Sequence, residues 1–299
     1  MNYLSLLFVC WASVVNAAPA ADTNAADGQG TGESQTTGLS FTVTHIITAA
    51  AVFTINGVNF LTDPFFSPAN TTFDPIGPSI ITVLDDPALQ PEQIPPIDAV
   101  LLSHEDHPDN LDPIGRTRFL DGRKVLTTPD GMKNLQPRPG VRAMENWKTL
   151  AVDLNGQTWN ITGTPCQHLP GGQVTGFVLV GPGFGTTNGL PNAIWYSGDT
   201  IYLPELARLK EMFYIKAAVM NMGAAFAFID NTTPDQITMT GSDVAQLFKD
   251  IGAEVLVPMH FGPWTHFPES VENVHRDFEQ AGIKDKVRWL TPGEPTKVL

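Results

Sequence analysis

The stretch VLLSHEDHPDNLD, residues 100–112, decides how the rest of this chain is read. An apolar run ends in two histidines, His104 and His107, and four acidic residues, Glu105, Asp106, Asp109 and Asp112. That is the pattern of a buried strand running into a loop of metal-ligand types, since neutral imidazoles and carboxylates are what zinc-like ions bind. A single histidine after a strand is usually a hydrogen-bonded loop residue. Here the event recurs: WNITGTPCQ runs into His168, IWYSG into Asp199, and EVLVPM into His260. Strand ends on a rigid sheet can hold ligands to the precision an ion requires.

The surrounding sequence supplies the sheets. FTVTHIITAAAVFTINGVNFLTD, residues 41–63, alternates loosely around Asn56-Gly57, a pair suited to a tight hairpin turn. IDAVLLS, AIWYS, IKAAVMN and AEVLVPM read as buried strands. Residues 203–213 read as a helix. In SDVAQLFKDIG, Val244, Leu247, Phe248 and Ile251 share a face with Gly252 as the stop. In SVENVHRDFEQAG, Val271, Val274 and Phe278 do so, with Ser270 as N-cap and Gly282 as the stop. Hairpins first and strand–helix alternation later predict an α/β fold, with mixed sheets and helices packed outside them.

Residues 1–17 are short, apolar and uncharged, with small residues around Ala17, the pattern of a secretory signal peptide. Residues 18–39, rich in Ala, Gly, Thr, Ser and Asp, read as a disordered linker, which leaves residues 40–299 as the folded domain. Sequons at Asn70, Asn160 and Asn231 agree with a secreted glycoprotein. Cys166 is the sole cysteine beyond that leader, so the domain depends on its core and not on an internal disulfide. With 31 acidic against 17 basic residues and no basic cluster, the chain lacks the surface a nucleic-acid partner needs. No later apolar run is long enough to span a membrane, and the expected partner is a small-molecule substrate. The sequence does not indicate an oligomeric state.

The order of His-rich loop, single His168, Gly198-Asp199-Thr200 and single His260 resembles the metallo-β-lactamase superfamily. The opening stretch from Val43 to Phe66 is similar to its broad branch of metal-dependent hydrolases related to ascorbate-lactonase-like proteins. The resemblance covers roughly residues 41 to 295 and implies a four-layer αβ/βα sandwich with the site at an edge between two sheets. The family's loop has the form His-x-His-x-Asp-His, and this loop departs from it. Without a gap, Glu105 takes the first position. With one inserted residue His104 takes it, and this reading is favoured because His104 directly follows the strand. Either way, Asn110 stands where a histidine is usual.

The resemblance implies a first metal site of His104, His107, His168 and a shared Asp199, and a second of Asp109, Asp199 and His260. Zinc is the expected ion, with manganese or iron as alternatives. One firm site is expected, with the second weak or absent, because an amide is a poor zinc ligand. Hydroxide made at the bound ion would attack an ester, lactone, amide or phosphodiester, with Asp109 as the base that orients it and His266 bonded to a substrate oxygen. The alternatives are a degenerate member that binds without hydrolysis and an iron-dependent oxidoreductase. Asp63 reads equally as an orienting carboxylate or as a turn residue. Asp112 reads as a helix cap, His45 as structural, His275 as a solvated helix residue, and Cys166 as a small buried hydrophobe.

Overall fold

The computed structural model describes residues 38–73, 80–169, 172–228 and 234–299. The leader reading, nearly all of the linker reading and the Asn231 sequon lie outside these residues; Asn70 and Asn160 are exposed. The described residues pack as one unit. Among them, no helix is long and apolar enough to cross a membrane.

Two main sheets carry the architecture. The first begins with β1 (Phe41–Ile47), β2 (Ala50–Ile55) and β3 (Val58–Thr62), each antiparallel to the next. The β2–β3 turn is made by Asn56 and Gly57, both at positive φ (48° and 81°), the backbone a two-residue hairpin demands. The sheet continues in parallel through β4 (Ala99–Leu101), β5 (Lys124–Thr127) and β6 (Val141–Ala143). The second sheet runs β7 (Thr149–Leu154), β8 (Gln157–Pro165), β9 (Thr175–Val180), β10 (Leu190–Tyr196), β11 (Tyr214–Asn221) and β12 (Val255–Met259). The strands from β7 to β10 pair antiparallel, and β10, β11 and β12 pair in parallel. Finally β13 (Pro295–Lys297) returns to pair with β1.

Side chains alternate between the two faces of each sheet because the strand period is two. Phe53, Leu101, Ile194, Val219 and Val257 point between the sheets, where they meet Phe60, Trp159, Phe177 and Tyr196. Their neighbours Val52 and Val100 face outward beneath Phe119, Leu120 and Phe66. Trp195, Ala218, Met220 and Leu256 face outward on the second sheet beneath Val244, Leu247, Phe248, Val274 and Phe278. The layers are therefore helix, sheet, sheet and helix. Phe53 is fully buried between the sheets, and its truncation to Ala costs about 3–5 kcal/mol.

The helices are bounded by the residue types their ends require. On the first sheet lie α1 (Pro113–Phe119) and α2 (Pro129–Asn134), capped by Asp112 and Thr128. The Asp112 carboxylate accepts from Gly115 N at 2.6 Å, from Phe66 N at 3.0 Å and from the Ser67 hydroxyl at 2.5 Å, so it joins helix to hairpin. On the second sheet lie α3 (Gly241–Asp250), opened by a Thr240–Asp243 capping box, and α4 (Val271–Gln280), capped by Ser270. The helix expected over 203–213 is instead a 3-10 turn over Pro204–Arg208 and one α-turn over Leu209–Met212. Its buried leucines, Leu206 and Leu209, sit three apart, the period of the tighter helix.

Candidate metal centre

The ends of β3, β4, β8, β10, β11 and β12 converge where the two sheets meet. They deliver Asp63, His104, His168, Asp199, Asn221 and His260. Gly198, at φ +61°, lets the turn after β10 come close to the first sheet. A Cβ there would lie 2.7 Å from the Thr175 carbonyl oxygen and 3.1 Å from the Ser103 Cβ.

Among the described residues two groups of ligand-type side chains form, His104–His107–His168 and Asp109–Asp199–His260. In the first, His107 Nδ1 lies 3.0 Å from His104 Nε2 and 3.1 Å from His168 Nε2. His168 Nδ1 donates to the Ile237 carbonyl at 2.6 Å, so the neutral ring presents an Nε2 lone pair to the centre. One proton can serve only one of the two short nitrogen–nitrogen edges. Protonation is also disfavoured: burial, then neighbouring His107, pulls His168 down to about 4 and His104 well below its usual value. Buried lone pairs converging with no proton to share are what a cation satisfies. Zn–N bonds of about 2.0–2.1 Å place tetrahedral ligand nitrogens roughly 3.3 Å apart, close to these edges.

Glu105, the residue between the two loop histidines that the alternative register needs as ligand, is turned away. Its carboxylate accepts from Asn134 Nδ2 at 2.7 Å, and its carbonyl accepts from Arg116 at 2.9 Å. His104 occupies the first position.

The second group differs in charge and support. His260 Nε2 lies 3.5 Å from Asp109 Oδ2 and 3.4 Å from Asp199 Oδ2, while its Nδ1 donates to the Met222 carbonyl at 3.2 Å. Burial works against the charged imidazolium, but Asp199 and then Asp109 outweigh it and raise His260 to about 9. Burial works against the charged Asp109 carboxylate too, yet the facing His260 and His266 rings hold it well below the usual carboxylate range. Asp199 Oδ2 and His260 Nε2 are buried without hydrogen-bond partners. The other Asp199 oxygen accepts from Asn221 Nδ2 at 2.7 Å. Asn221 also reaches the Tyr196 hydroxyl at 3.1 Å, and that hydroxyl donates to Asp63 Oδ2. Asp63 Oδ1 accepts from Ser103 N at 2.6 Å, and burial beside Asp199 raises its pKa to about 7. Asp63 therefore orients the site through neighbours and does more than end a hairpin.

Thr48, Asp63 and His260 all hold positive φ (47°, 31° and 63°), a strained conformation for such residues. The Thr48 carbonyl accepts from His260 N at 3.2 Å and from His45 Nε2 at 2.9 Å, and its hydroxyl donates to the Asp109 carbonyl at 3.2 Å. His45 is thus structural in its contacts. His266 Nε2 lies 3.8 Å from Asp109 Oδ2. Asn110 is fully buried, and neither atom of its amide has a partner. Cys166 donates to the Ser197 carbonyl at 3.2 Å, and burial raises its thiol pKa. His275 is exposed, as expected of a solvated helix residue, and also stacks on Trp289 with ring centroids 3.9 Å apart. Asn221 and Tyr196 went unnoticed in the sequence, although Asn221 ends its strand as the ligand residues follow theirs. Nothing marked Thr48.

Residues 58–261 match the family described as the beta-lactamase superfamily domain. The chain is similar to the mitochondrial N-acyl-phosphatidylethanolamine-hydrolyzing phospholipase D of Saccharomyces cerevisiae, at 29% identity over 251 residues. That match covers 77% of this chain and 50% of the yeast protein, so the chain spans half the length of that relative. It is also similar to a UPF0173 metal-dependent hydrolase of Methanopyrus kandleri, at 24% identity over 82% of this chain and 95% of that protein. Among solved structures, the isothiocyanate hydrolase from Delia radicum gut bacteria superposes with a TM-score of 0.67 at 20% identity, over 85% of this chain and 98% of that one.

Proposed function

The chain belongs to the beta-lactamase superfamily, and on that premise we propose that it is a metal-dependent hydrolase of a small-molecule ester, lactone, amide or phosphodiester. The observation that carries this reading is the convergence of three imidazole nitrogens at 3.0 and 3.1 Å, on rings of which His104 and His168 resist taking a proton. When bound there, a zinc-like ion would supply Lewis acidity, lowering the pKa of a water to about 7 and polarising a substrate oxygen.

The chain's own residues do the rest. His104, His107 and His168 hold the ion. Ser103, which shares a 2.9 Å hydrogen bond with His104 Nδ1, and the Ile237 carbonyl fix two of the rings. Asp109, kept ionised, accepts a hydrogen bond from the attacking water at Oδ2 and turns it toward the substrate. Phe267 stands beside both His260 and His266, with ring centroids 4.8 and 4.4 Å away, surroundings suited to a partly apolar substrate.

The test is chelation followed by assay on a panel of chromogenic esters, lactones, amides and phosphodiesters. Turnover should vanish on chelation and return with zinc, manganese or iron, and the restoring ion identifies the metal. A fully metallated protein inactive on the whole panel would point to a binding role instead. Secretion is part of the same reading. Protein collected from the medium should begin near Ala18, and an intact Met1 on material retained in cells would refute it.

A further inference from the structure

We propose that Thr48, on the turn between β1 and β2, is a positioning residue for hydrolysis: its hydroxyl holds Asp109 where that carboxylate meets the attacking water, and its carbonyl holds His260 across from it. This rests on the hydrolase reading and on the part Asp109 plays in it.

The backbone here is unusual for the residue that adopts it. Among the described residues other than glycine at positive φ, four are asparagines, and Thr48, at 47°, is the only β-branched one. A β-branched side chain is crowded in that conformation, which glycine and asparagine take readily. The strand leading in is irregular as well, since the register between β1 and β2 shifts between His45 and Ile47. A bulge of this kind re-aims the chain that follows it.

The turn is braced from several sides. The Thr62 hydroxyl of β3 donates to the Ala49 carbonyl at 2.6 Å and accepts from Ala51 N at 3.0 Å. On the other flank, Ala88 N donates to the Ile46 carbonyl at 3.0 Å and Gly293 N to the His45 carbonyl at 2.8 Å. Residues before and after Thr48 are thus tied to neighbouring segments, which hold the strained conformation in place.

Its contacts show what the strain accomplishes. Thr48 is fully buried, and its hydroxyl donates to the Asp109 carbonyl at 3.2 Å. Its carbonyl accepts from His260 N at 3.2 Å and from His45 Nε2 at 2.9 Å. One residue therefore grips the backbones of the two residues whose side chains face each other at 3.5 Å, Asp109 Oδ2 and His260 Nε2. Those two come from different sheets, Asp109 on the loop after β4 and His260 at the end of β12. Without the hydroxyl, nothing on the turn holds Asp109 in register with His260, and a misplacement of about 1 Å at a reacting centre can cost about a hundredfold in rate.

The loop also reports its own order. Asn110 N and Leu111 N both donate to the His107 carbonyl, at 3.2 and 3.0 Å, so their exchange with deuterium reads how firmly the segment around Asp109 is held.

The experiment compares Thr48→Val, which removes the hydroxyl and keeps the branched shape, with Thr48→Ser, which keeps the hydroxyl. Kinetics use the chromogenic substrate of the panel that the zinc-loaded wild type turns over fastest. Thr48→Val should lower kcat about tenfold with KM within about twofold, and Thr48→Ser should recover most of the loss. In metal-free protein, the Asn110 and Leu111 amides should exchange about tenfold faster in Thr48→Val and near the wild-type rate in Thr48→Ser, with the β11 amides unchanged in both. Wild-type kcat and exchange in Thr48→Val would overturn the proposal. So would a Thr48→Ser that fails as Thr48→Val does, since packing alone would then be at work. Lost protection reaching β11 would make Thr48 a residue of the fold at large and overturn it too. A wild type inactive on the whole panel would sink the hydrolase reading, while exchange at Asn110 and Leu111 would still decide whether Thr48 holds that loop.

Discussion

The two ligand groups are neighbours, yet they treat positive charge in opposite ways. In the imidazole group His104 and His168 reject protons, with His168 down at about 4, because burial and the neighbouring His107 act together. The carboxylate-rich group retains one, with His260 up at about 9, because Asp199 and Asp109 outweigh burial. Their supports differ to match. Rings of the first group are fixed by a hydroxyl and a carbonyl. Asp199 of the second is fixed by a chain of side chains through Asn221 and Tyr196 to Asp63. The first group repels positive charge from its own rings, whereas the two carboxylates of the second attract it.

The largest effect should come from breaking the first group. His168→Ala should remove its ion and lower turnover by about a thousandfold, since the water then loses the Lewis acid that makes it nucleophilic. Unchanged zinc content would erase the distinction between the groups. Next, Asn221→Ala frees the Asp199 carboxylate and should weaken the acidic group's ion by about 10–100-fold, with the imidazole site unaffected. Isothermal titration of each variant with zinc separates the two.

A third, smaller effect follows from pH. His260, raised to about 9, must lose a proton to bind an ion through Nε2. Affinity at the acidic group should therefore climb about tenfold per pH unit between 6 and 8, while His168, at about 4, adds no such slope to the imidazole group. Equal slopes at both sites would contradict the comparison. In metal-free protein the sign for stability is the reverse. A histidine raised from 6.5 to about 9 contributes about 3 kcal/mol below pH 6.5, and this is lost as pH rises through 9. Urea unfolding of chelated protein at pH 6 and pH 9 measures it. The smallest effect is the control: His275→Ala should leave both ions in place and cost about 1 kcal/mol of stability from its stack on Trp289.

How much of this was legible in the sequence depends on the residue. His168, Asp199 and His260 were readable because each follows an apolar strand directly, and the pattern of a strand survives in one dimension. The helices over Gly241–Asp250 and Val271–Gln280 were readable from their faces and caps, save that Val271, read onto the packed face, is exposed at the helix start. The register of the loop was open, because nothing in HEDH says which side chain turns outward. Asn134 and the packing of α2 against Glu105 decide that, and they lie beyond a helix and a strand, α1 and β5. Thr48 was invisible, since any residue type can offer a carbonyl and the partner of its hydroxyl lies far along the chain. The 203–213 segment misled because apolar residues at three- and four-residue spacings suit both helix types.

The ligands also act as fasteners. Those on the loop after β4 extend from the first sheet, and those after β8, β10 and β12 extend from the second, so any shared ion ties together segments far apart in the chain. Such a tie exists only once both sheets are built and aligned, late on the folding route. Its contribution should therefore slow the opening of the finished molecule without hastening its assembly. At a hundredfold excess over its dissociation constant, one ion binding only the native state adds about 2.7 kcal/mol. Chelation should consequently shorten the native lifetime by up to about a hundredfold and leave the refolding rate where it was.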